Sequence, residues 1–313
     1  MKKFLLSLAA LVAIVGIAEC AARYCLGLGD PPLSEGSADI DYIFRPNQRC
    51  RRFGNAINYN NLSMRMDEDV DPSDSRKRVF VVGDSVVNGG SLTDQKDLAT
   101  ALLQKAMPNV LVCNVSAGSW GPGNYAAYFR RHPALVREGD VFVLEMSTHD
   151  LWEDDPKTGA GSIVGSVSFP SKRPWCALWD GYVRYFRPRC ASRGRAKPKK
   201  VDAPPLKERK ERLAEFNLSE LDYLYSLPAK GKFLLVHRSR GEAKALEAGA
   251  ALSGFSAEGE EAMVSHARKH GVEVVFANLD PAADYRDSIH PNERGQRKLF
   301  EALAAAFAKR GDS

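Results

Sequence analysis

The stretch RVFVVGDSVVNGG, residues 78–90, decides the fold that this sequence predicts. Residues 79–82 are apolar or β-branched, which is typical of a strand buried on both faces of a sheet. A Gly-Asp-Ser turn follows the strand directly. The turn places Ser85 at the carboxyl end of a buried strand, where open α/β sheets bind their ligands.

The same pattern continues along the chain as strands that alternate with helices. Further apolar runs predict strands at 110–115, 141–146, 232–237 and 272–279. Amphipathic stretches predict helices at 94–107, 124–139, 206–226, 256–271 and 293–310. Alternation of this kind is typical of a parallel sheet, and near-continuous apolar strands require helices on both faces. The predicted fold class is therefore α/β, with a parallel five-stranded sheet.

Composition and charge exclude several classes of protein. Of the 313 residues, 44% are hydrophobic and 27% are charged, as in folded globular proteins and unlike disordered or multi-span membrane chains. A net charge of +5 is too small for a dedicated nucleic-acid binder of this length. The six cysteines are scattered without a C-x-x-C pair, which argues against a disulfide scaffold or a zinc ribbon.

Residues 1–29 are predicted to be a signal peptide or a transmembrane anchor. Lys2 and Lys3 precede an apolar run over residues 4–18, and no A-x-A cleavage site ends that run. Glu19 also occupies a position where a lipidation motif has a small residue. We favour an uncleaved anchor over a cleaved signal. The two lysines orient the N-terminus inward, so the rest of the chain faces the periplasm or the extracellular side.

The remainder divides into a lead-in and one domain. Residues 30–76 lack a sustained period and predict an extended segment that wraps the domain, which covers residues 77–313. A basic insertion interrupts the domain at about 156–205, and fourteen basic against four acidic side chains lie between residues 172 and 212. The charge suits an anionic polysaccharide, a lipid surface or nucleic acid, or simply a solvated loop. Cys176 and Cys190 form either a disulfide or two free thiols.

Candidate catalytic residues lie at both ends of the domain. Ser85 is a candidate nucleophile if a histidine reaches it, although a helix-capping serine is the ordinary alternative. Of the six histidines, only His290 combines a loop position after the last strand with an aspartate, Asp287, three residues earlier. An aspartate so placed can orient the imidazole and stabilise its protonated form. His266 and His270 have zinc-ligand spacing, but without a glutamate base they indicate a solvated face, and no metal is predicted.

Four blocks fall in order at the carboxyl ends of successive strands. They are GDSVVNGG (83–90), CNVSAGSWGPGN (113–124), MSTHDLWED (146–154) and DSIHPNERG (287–295). In these blocks the sequence resembles the SGNH hydrolase (GDSL-type esterase) superfamily, over residues 77–310 without the insertion. The resemblance implies a flavodoxin-like three-layer α/β/α sandwich with Ser85 as nucleophile, His290 as general base and Asp287 as its partner.

The resemblance also implies an oxyanion hole, and here the chain departs from the family pattern twice. The family takes donors from the nucleophile's own N–H, a glycine of the second block and an asparagine of the third. The glycine position falls at Ser119, with Gly118 just before it, and we favour Gly118. His149 stands at the asparagine position. Its ring is predicted either to donate a hydrogen bond to the oxyanion or to pack as a structural residue.

The predicted function is that of a membrane-anchored serine esterase or acyltransferase. It would act through an acyl-enzyme on O-acyl groups, in the first place acetyl esters of an extracytoplasmic carbohydrate, and a lipid or another small ester remains an open substrate. Four tryptophans near the motifs favour the carbohydrate: Trp120, Trp152, Trp175 and Trp179. No cofactor and no nucleic-acid partner are expected. The alternative is a catalytically silent polysaccharide-binding or scaffold protein of an export complex, favoured by His149 and the basic insertion.

Overall fold

The computed structural model describes residues 1–153, 156, 161, 163–187 and 206–311. Its strands are β1 (Ser34–Ser37), β2 (Asp41–Phe44), β3 (Gln48–Arg52), β4 (Asn55–Tyr59), β5 (Arg78–Gly83), β6 (Leu111–Ser116), β7 (Val141–Ser147), β8 (Gly231–His237) and β9 (Glu273–Phe276). Its α-helices are α1 (Lys2–Cys20), α2 (Ser85–Asn88), α3 (Ala99–Ala106), α4 (Pro122–Arg131), α5 (Ala177–Gly181), α6 (Leu206–Ser226), α7 (Arg240–Glu247), α8 (Gly254–Lys269) and α9 (Glu293–Arg310).

The central sheet has five parallel strands in the order β6-β5-β7-β8-β9. The strand order therefore reverses direction between β5 and β7, because β6 lies on one side of β5 and the later strands lie on the other. Loops leave in opposite directions at such a point and open a crevice at the carboxyl ends of the strands. The turn that carries Ser85 emerges from this crevice.

Apolar side chains of each strand alternate between two separate cores. Phe80 and Val82 of β5 belong to the core on one face, which α4, α6 and α8 cover. Val79 and Val81 belong to the core on the other face, which α3 and α9 cover. Helices on both faces of one parallel sheet make three layers. The predicted α/β class, with its five-stranded parallel sheet, is thus confirmed.

Two helices differ from the sequence prediction. The helix predicted over 124–139 begins at Pro122 and ends at Arg131, because Pro133 has no N–H for the ladder and disfavours helical geometry in the residue before it. Helix α7 follows β8 and was not predicted. It begins with a reciprocal capping box between Ser239 and Glu242, a signal that was present in the sequence.

The lead-in forms two antiparallel hairpins, β1-β2 and β3-β4, instead of a featureless extended segment. Its apolar residues enter the core on the β5 face that carries Phe80, among them Ile40, Tyr42, Ile57 and Met64, all of which are fully buried. Strands of four or five residues are too short to give a recognisable period. Since these side chains fill the core, the lead-in is a structural part of the domain.

The N-terminal helix stands apart from this packing. None of the residues of α1 is buried, and α1 continues as a π-helical turn over Ala21–Cys25. Over Lys2–Cys25 the helix is long and apolar enough to cross a membrane by length and composition. Cys190, the predicted disulfide partner of Cys176, lies outside the described residues. Most of the basic side chains of the insertion do so as well.

Arg65 fastens the lead-in to the loop that follows α2. Its fully buried guanidinium donates hydrogen bonds to the carbonyl oxygens of Asn88 and Thr93 at 2.8 and 3.0 Å, to that of Gly90, and to Gln95 Oε1 at 3.1 Å. The carbonyl oxygens of the buried residues Asn88 and Thr93 would lose this partner without Arg65, and a buried polar group without a partner is costly. One side chain thus fixes the backbone that leaves the nucleophile turn.

We expect Arg65→Met to lower the free energy of unfolding by about 3 kcal/mol or more, because it leaves several buried carbonyls unpaired. Equilibrium urea unfolding measures this loss. Arg49→Met on β3 is the matched control, since Arg49 is exposed, and it should change stability by less than about 0.5 kcal/mol. Equal effects of the two substitutions would contradict a structural role for Arg65.

Candidate active site

The turn after β5 presents Ser85 at the first position of α2. Asp84 is the N-cap and accepts a hydrogen bond from the Val86 N–H at 2.7 Å. Gly83 is required by close approach, because a Cβ there would lie 2.5 Å from Val87 and 2.7 Å from Glu145. Gly89 ends α2 with a φ of +70°, a conformation that glycine adopts without strain. The half-buried Ser85 hydroxyl therefore projects from a sharp and well-fixed turn.

Ser85, His290 and Asp287 form a continuous chain of hydrogen-bonding groups. The Nε2 atom of His290 lies 2.9 Å from Ser85 Oγ. On the other side of the ring, Nδ1 lies 2.8 and 3.0 Å from the two carboxylate oxygens of Asp287. A proton on Nδ1 is donated to Asp287, which leaves Nε2 free to accept the serine proton. The structure thus brings together the three residues that the sequence singled out.

Asp287 also shapes the turn on which His290 sits. Its Oδ1 accepts the backbone N–H groups of Ile289 and His290 at 3.0 and 2.8 Å. Burial acts to raise the pKa of Asp287, but these hydrogen bonds and the imidazole hold it below its usual range. A β-bridge between Tyr285 and Pro291 closes the turn, so Pro291 lies just before Asn292, the N-cap of α9.

His237 holds this turn by a hydrogen bond to its backbone, a role that sequence analysis missed. It ends β8, is fully buried, and its Nε2 lies 2.8 Å from the carbonyl oxygen of Ile289. Burial lowers the pKa of His237 to about 4, so the ring is neutral at physiological pH and donates its Nε2 proton to Ile289. Nothing in the local sequence marks this contact, because its two residues lie on different loops.

Two further side chains connect the histidine loop to the nucleophile turn. Gln296 of α9 is fully buried and donates to the Val86 carbonyl oxygen at 2.8 Å, while its own oxygen accepts the Ala99 N–H at 3.0 Å. Arg286 donates to Thr93 Oγ1 at 3.1 Å and to the Gly89 carbonyl oxygen at 3.3 Å. The two loops are therefore linked on both sides of the contact between Ser85 and His290.

The predicted oxyanion donors have different surroundings. The Ser85 N–H opens α2 and has no intrahelical acceptor. In the second block, the N–H groups of Gly118 and Ser119 donate to no acceptor in the described part of the chain. Ser119 has a φ of +61°, and the Gly118 carbonyl accepts the Tyr42 hydroxyl at 2.6 Å. This contact holds the second block in place through a lead-in residue.

His149 lies at the same edge of the sheet, beside two buried carboxyls. One of its ring nitrogens and one carboxylate oxygen each from Asp84 and Asp150 lie within 4.8 Å of one another. The side chain of His149 is 45% exposed, and its Nε2 is 3.5 Å from Asp150 Oδ1. Such exposure disfavours the packing role that the sequence left open, because a packing residue is enclosed by its neighbours.

A cluster of acids lies under the nucleophile turn. Glu145 of β7 and Asp150 are fully buried, and burial together with the nearby Asp84 carboxyl raises the pKa of both well above the usual range. Burial also raises the pKa of Asp84. Raised pKa values keep carboxyls protonated over more of the pH range. The cluster therefore adds less negative charge beside Ser85 than three ionised groups would.

Two groups of side chains in the described part of the chain have the spacing of metal ligands. One is Asp84, His149 and Asp150; the other is Asp222, His266 and His270. In the second group, Nε2 of both histidines lies 2.9 and 2.8 Å from Asp222 Oδ1, so a carboxylate of α6 already pairs with the histidines of α8.

From the sequence we expected the tryptophans near the site, but Trp120 and Trp175 have other surroundings. Trp120 is buried, and its Nε1 donates to the Tyr42 carbonyl oxygen at 3.1 Å, so it is a core residue. Trp175 is beside the end of the N-terminal helix, where its carbonyl accepts from Arg23. The triad itself is open to solvent, since the side chains of His290 and Asp287 are 31% and 47% exposed.

Comparisons with known proteins gave structural likeness only. No family model matches the chain, and no curated protein matches it. Solved structures that it resembles include an alpha/beta hydrolase from the metagenome of Lake Arreo, Spain, at 17% identity and a TM-score of 0.44, covering 74% of this chain and 95% of that one. The activity in that name belongs to that protein.

Two further solved structures that the chain resembles are named as a lipolytic protein and an esterase. A member of the lipolytic protein G-D-S-L family from Veillonella parvula is 12% identical at a TM-score of 0.42, over 74% of this chain and 98% of that one. An acetyl xylan esterase from Geobacillus stearothermophilus is 16% identical at a TM-score of 0.43, over 73% of this chain and 93% of that one.

The buried histidine leads to a prediction about pH and stability. His237 protonates near its ordinary value of 6.5 when unfolded but only near 4 when folded, so the unfolded chain binds more protons between these values. The free energy of unfolding should therefore fall as the pH drops from 6.5 to 4, with a contribution from His237 of about 3 kcal/mol.

His237→Gln removes the titrating group and keeps an N–H donor for Ile289. We expect urea unfolding of this variant to lose less stability than the wild type over the same pH window. His270→Gln, at the C-cap of α8, alters an exposed histidine and is the control. Parallel pH curves for wild type and His237→Gln would contradict the assignment.

Proposed function

We propose that this chain is an SGNH-type serine esterase or O-acyltransferase in which Ser85 is the nucleophile, His290 the general base and Asp287 its orienting partner. The observation that carries the proposal is the unbroken hydrogen-bonded chain from Ser85 Oγ through the imidazole to the Asp287 carboxylate. The four sequence blocks support it independently. A catalytically silent binding protein has no need to keep a serine, a histidine and an aspartate in this register.

The reaction follows from the geometry in two halves. Ser85 Oγ attacks the ester carbonyl carbon while its proton passes to His290 Nε2, which lies 2.9 Å away. Asp287 stabilises the imidazolium that forms. The tetrahedral intermediate then expels the alkoxide, which takes the proton from Nε2 and leaves an acyl-serine. Water or an acceptor hydroxyl then attacks the acyl-serine while its proton passes to His290 Nε2. The second tetrahedral intermediate expels Ser85 Oγ, which takes that proton back, and the acyl group leaves as a carboxylic acid or as the new ester.

Negative charge on the carbonyl oxygen needs donors that are already in place. The Ser85 N–H is one, and the unpaired N–H of Gly118 is the second that we assign. Between the two unpaired N–H groups of this block we assign the one of Gly118, the glycine next to the family position. The Tyr42 hydroxyl holds the Gly118 carbonyl and with it the peptide that carries the Ser119 N–H, so it fixes the backbone immediately after the assigned donor. We assign the third donor to the ring of His149, in the place that an asparagine has in the family.

The substrate class follows from the openness of the site. A triad with half-exposed histidine and aspartate side chains admits an acyl group on a large molecule as well as a small ester. An N-terminal helix able to cross a membrane supports a position outside the cytoplasm. We therefore propose O-acyl groups, most plausibly acetyl esters, of a carbohydrate on the periplasmic or extracellular side.

Ser85→Ala and His290→Ala should each reduce turnover of a short-chain aryl ester on the order of 10⁴-fold or more, because the residues act as one unit. Activity assays and labelling by a fluorophosphonate measure this, and Ser85→Ala should abolish the label. Ser91→Ala, in the loop that follows, is the matched serine control and should retain both. A Ser85→Ala variant with near wild-type turnover would refute the triad.

His149 allows a test of the oxyanion hole. Loss of one donor costs about 10²–10³ in kcat, so His149→Ala should be folded and slow but still labelled in long incubations. His149→Asn should recover part of the rate, because an amide N–H has similar reach. Steady-state kinetics measures kcat, and circular dichroism shows whether each variant is folded. Unchanged kcat would remove His149 from the mechanism, and an unfolded His149→Ala variant would favour a packing role.

A further inference from the structure

A stripe of aromatic side chains lies on the solvent side of α5 and the π-helical turn that continues it, Tyr182–Phe186. The stripe consists of Trp175, Trp179, Tyr182 and Phe186, which are 86, 55, 49 and 65% exposed. Trp179, Tyr182 and Phe186 follow one another at three and four residues, the spacing of one helix face, and Trp175 lies just before the N-cap Cys176. Large aromatic residues on one exposed face indicate a surface that binds another apolar phase.

The opposite face of the same segment is fixed to the domain. Asp180 is buried and accepts hydrogen bonds from the Gly29 N–H at 3.0 Å and from Arg52 Nη2 at 2.9 Å. Ala177 packs with Ala22 and Leu28 in a small buried cluster. Ala177, Asp180 and Tyr185 thus face the domain, and the four aromatic residues of the stripe face outward. This is the reverse of an ordinary amphipathic surface helix, so the aromatic face needs an external partner.

The contacts at the start of the segment identify that partner. Glu19, next to the last residue of α1, accepts the backbone N–H groups of Ala177 and Leu178 at 2.7 and 2.9 Å. Arg23 donates to Glu19 at 2.8 Å and to the carbonyl oxygen of Trp175 at 3.1 Å. The first turn of α5 is therefore capped by a side chain of the N-terminal helix itself.

The length of the apolar helix sets the depth of this contact. The fifteen apolar residues 4–18 span ~22 Å at ~1.5 Å per residue, and the long side chains of Lys2 and Lys3 before them reach the inner headgroups, so the helix crosses most of the ~30 Å hydrocarbon core of a bilayer. Glu19 and Arg23 then lie at the outer boundary of the hydrocarbon, and so does the segment that they cap. Tryptophan and tyrosine are enriched at this depth, where an apolar ring meets polar headgroups.

We propose that residues 175–187 form an interfacial segment that lies on the outer surface of the phospholipid bilayer, with the four aromatic side chains inserted among the headgroups. Glu19 joins this segment to the anchor, and the buried pair of Arg52 and Asp180 joins it to the domain. The N-terminal helix is then retained as an anchor, because cleavage near residue 20 would remove Glu19 and leave two backbone donors of α5 without a partner.

This inference rests on the proposed membrane anchorage and not on the proposed esterase chemistry. The full-length protein is reconstituted into nanodiscs of phosphatidylglycerol and phosphatidylcholine whose acyl chains carry bromine near the headgroup. Bromine quenches tryptophan fluorescence only at short range. We expect strong quenching in the wild type, loss of most of it in Trp175→Phe/Trp179→Phe, and no such loss in the matched control Trp152→Phe, which alters an indole of the domain.

Glu19→Gln tests the link between anchor and segment. It weakens the cap, so quenching of Trp175 and Trp179 should decrease while α1 stays resistant to carbonate extraction. Wild-type protein that is anchored but not quenched, or equal quenching in both tryptophan variants, would overturn the interfacial segment. A mature N-terminus near residues 20–25, found by intact mass, would overturn the anchorage itself. Aryl ester turnover on the same sample reports on the esterase proposal separately.

Discussion

The hydrogen bond between Ser85 Oγ and His290 Nε2 joins residues 205 positions apart, and most of the polar interior is arranged to keep that contact at 2.9 Å. One partner is in the turn after the first strand of the sheet, and the other follows the last strand. Parallel topology alone brings these turns to one edge. It does not fix them to within a hydrogen-bond length, which requires side chains that connect one loop to the next.

Those connections are buried polar groups whose partners are backbone atoms of the loops. Arg65 holds the carbonyls that follow the nucleophile turn, Gln296 holds Val86, and His237 holds Ile289. Buried groups of this kind are costly when a partner is missing, so each one strongly disfavours any other loop geometry. Buried hydrogen bonds inside the domain thus position a site that is itself open to solvent.

The same logic extends to the N-terminal segment. Arg52 and Asp180 are a buried ion pair between the lead-in and α5, and Glu19 caps α5 from the anchor helix. In the structure, the anchor is therefore joined to the domain by hydrogen bonds and not only by the chain. If the N-terminal helix is the proposed anchor, a domain held in this way keeps a defined orientation to the bilayer, which suits the proposed esterase activity outside the cytoplasm.

The sequence by itself determined the sheet, the position of its strands and the triad candidates. Strand and helix periods are local, as is the turn chemistry of Gly-Asp-Ser and of an aspartate three residues before a histidine. Helix α9 has the predicted bounds because its helical period is a local pattern. The strands of the lead-in hairpins are too short to show a period in the sequence. Only the tertiary structure decided that His237 and Arg65 support the loops and that Glu19 caps α5. Those contacts join segments distant in sequence, and their energy comes from burial, which no local pattern records.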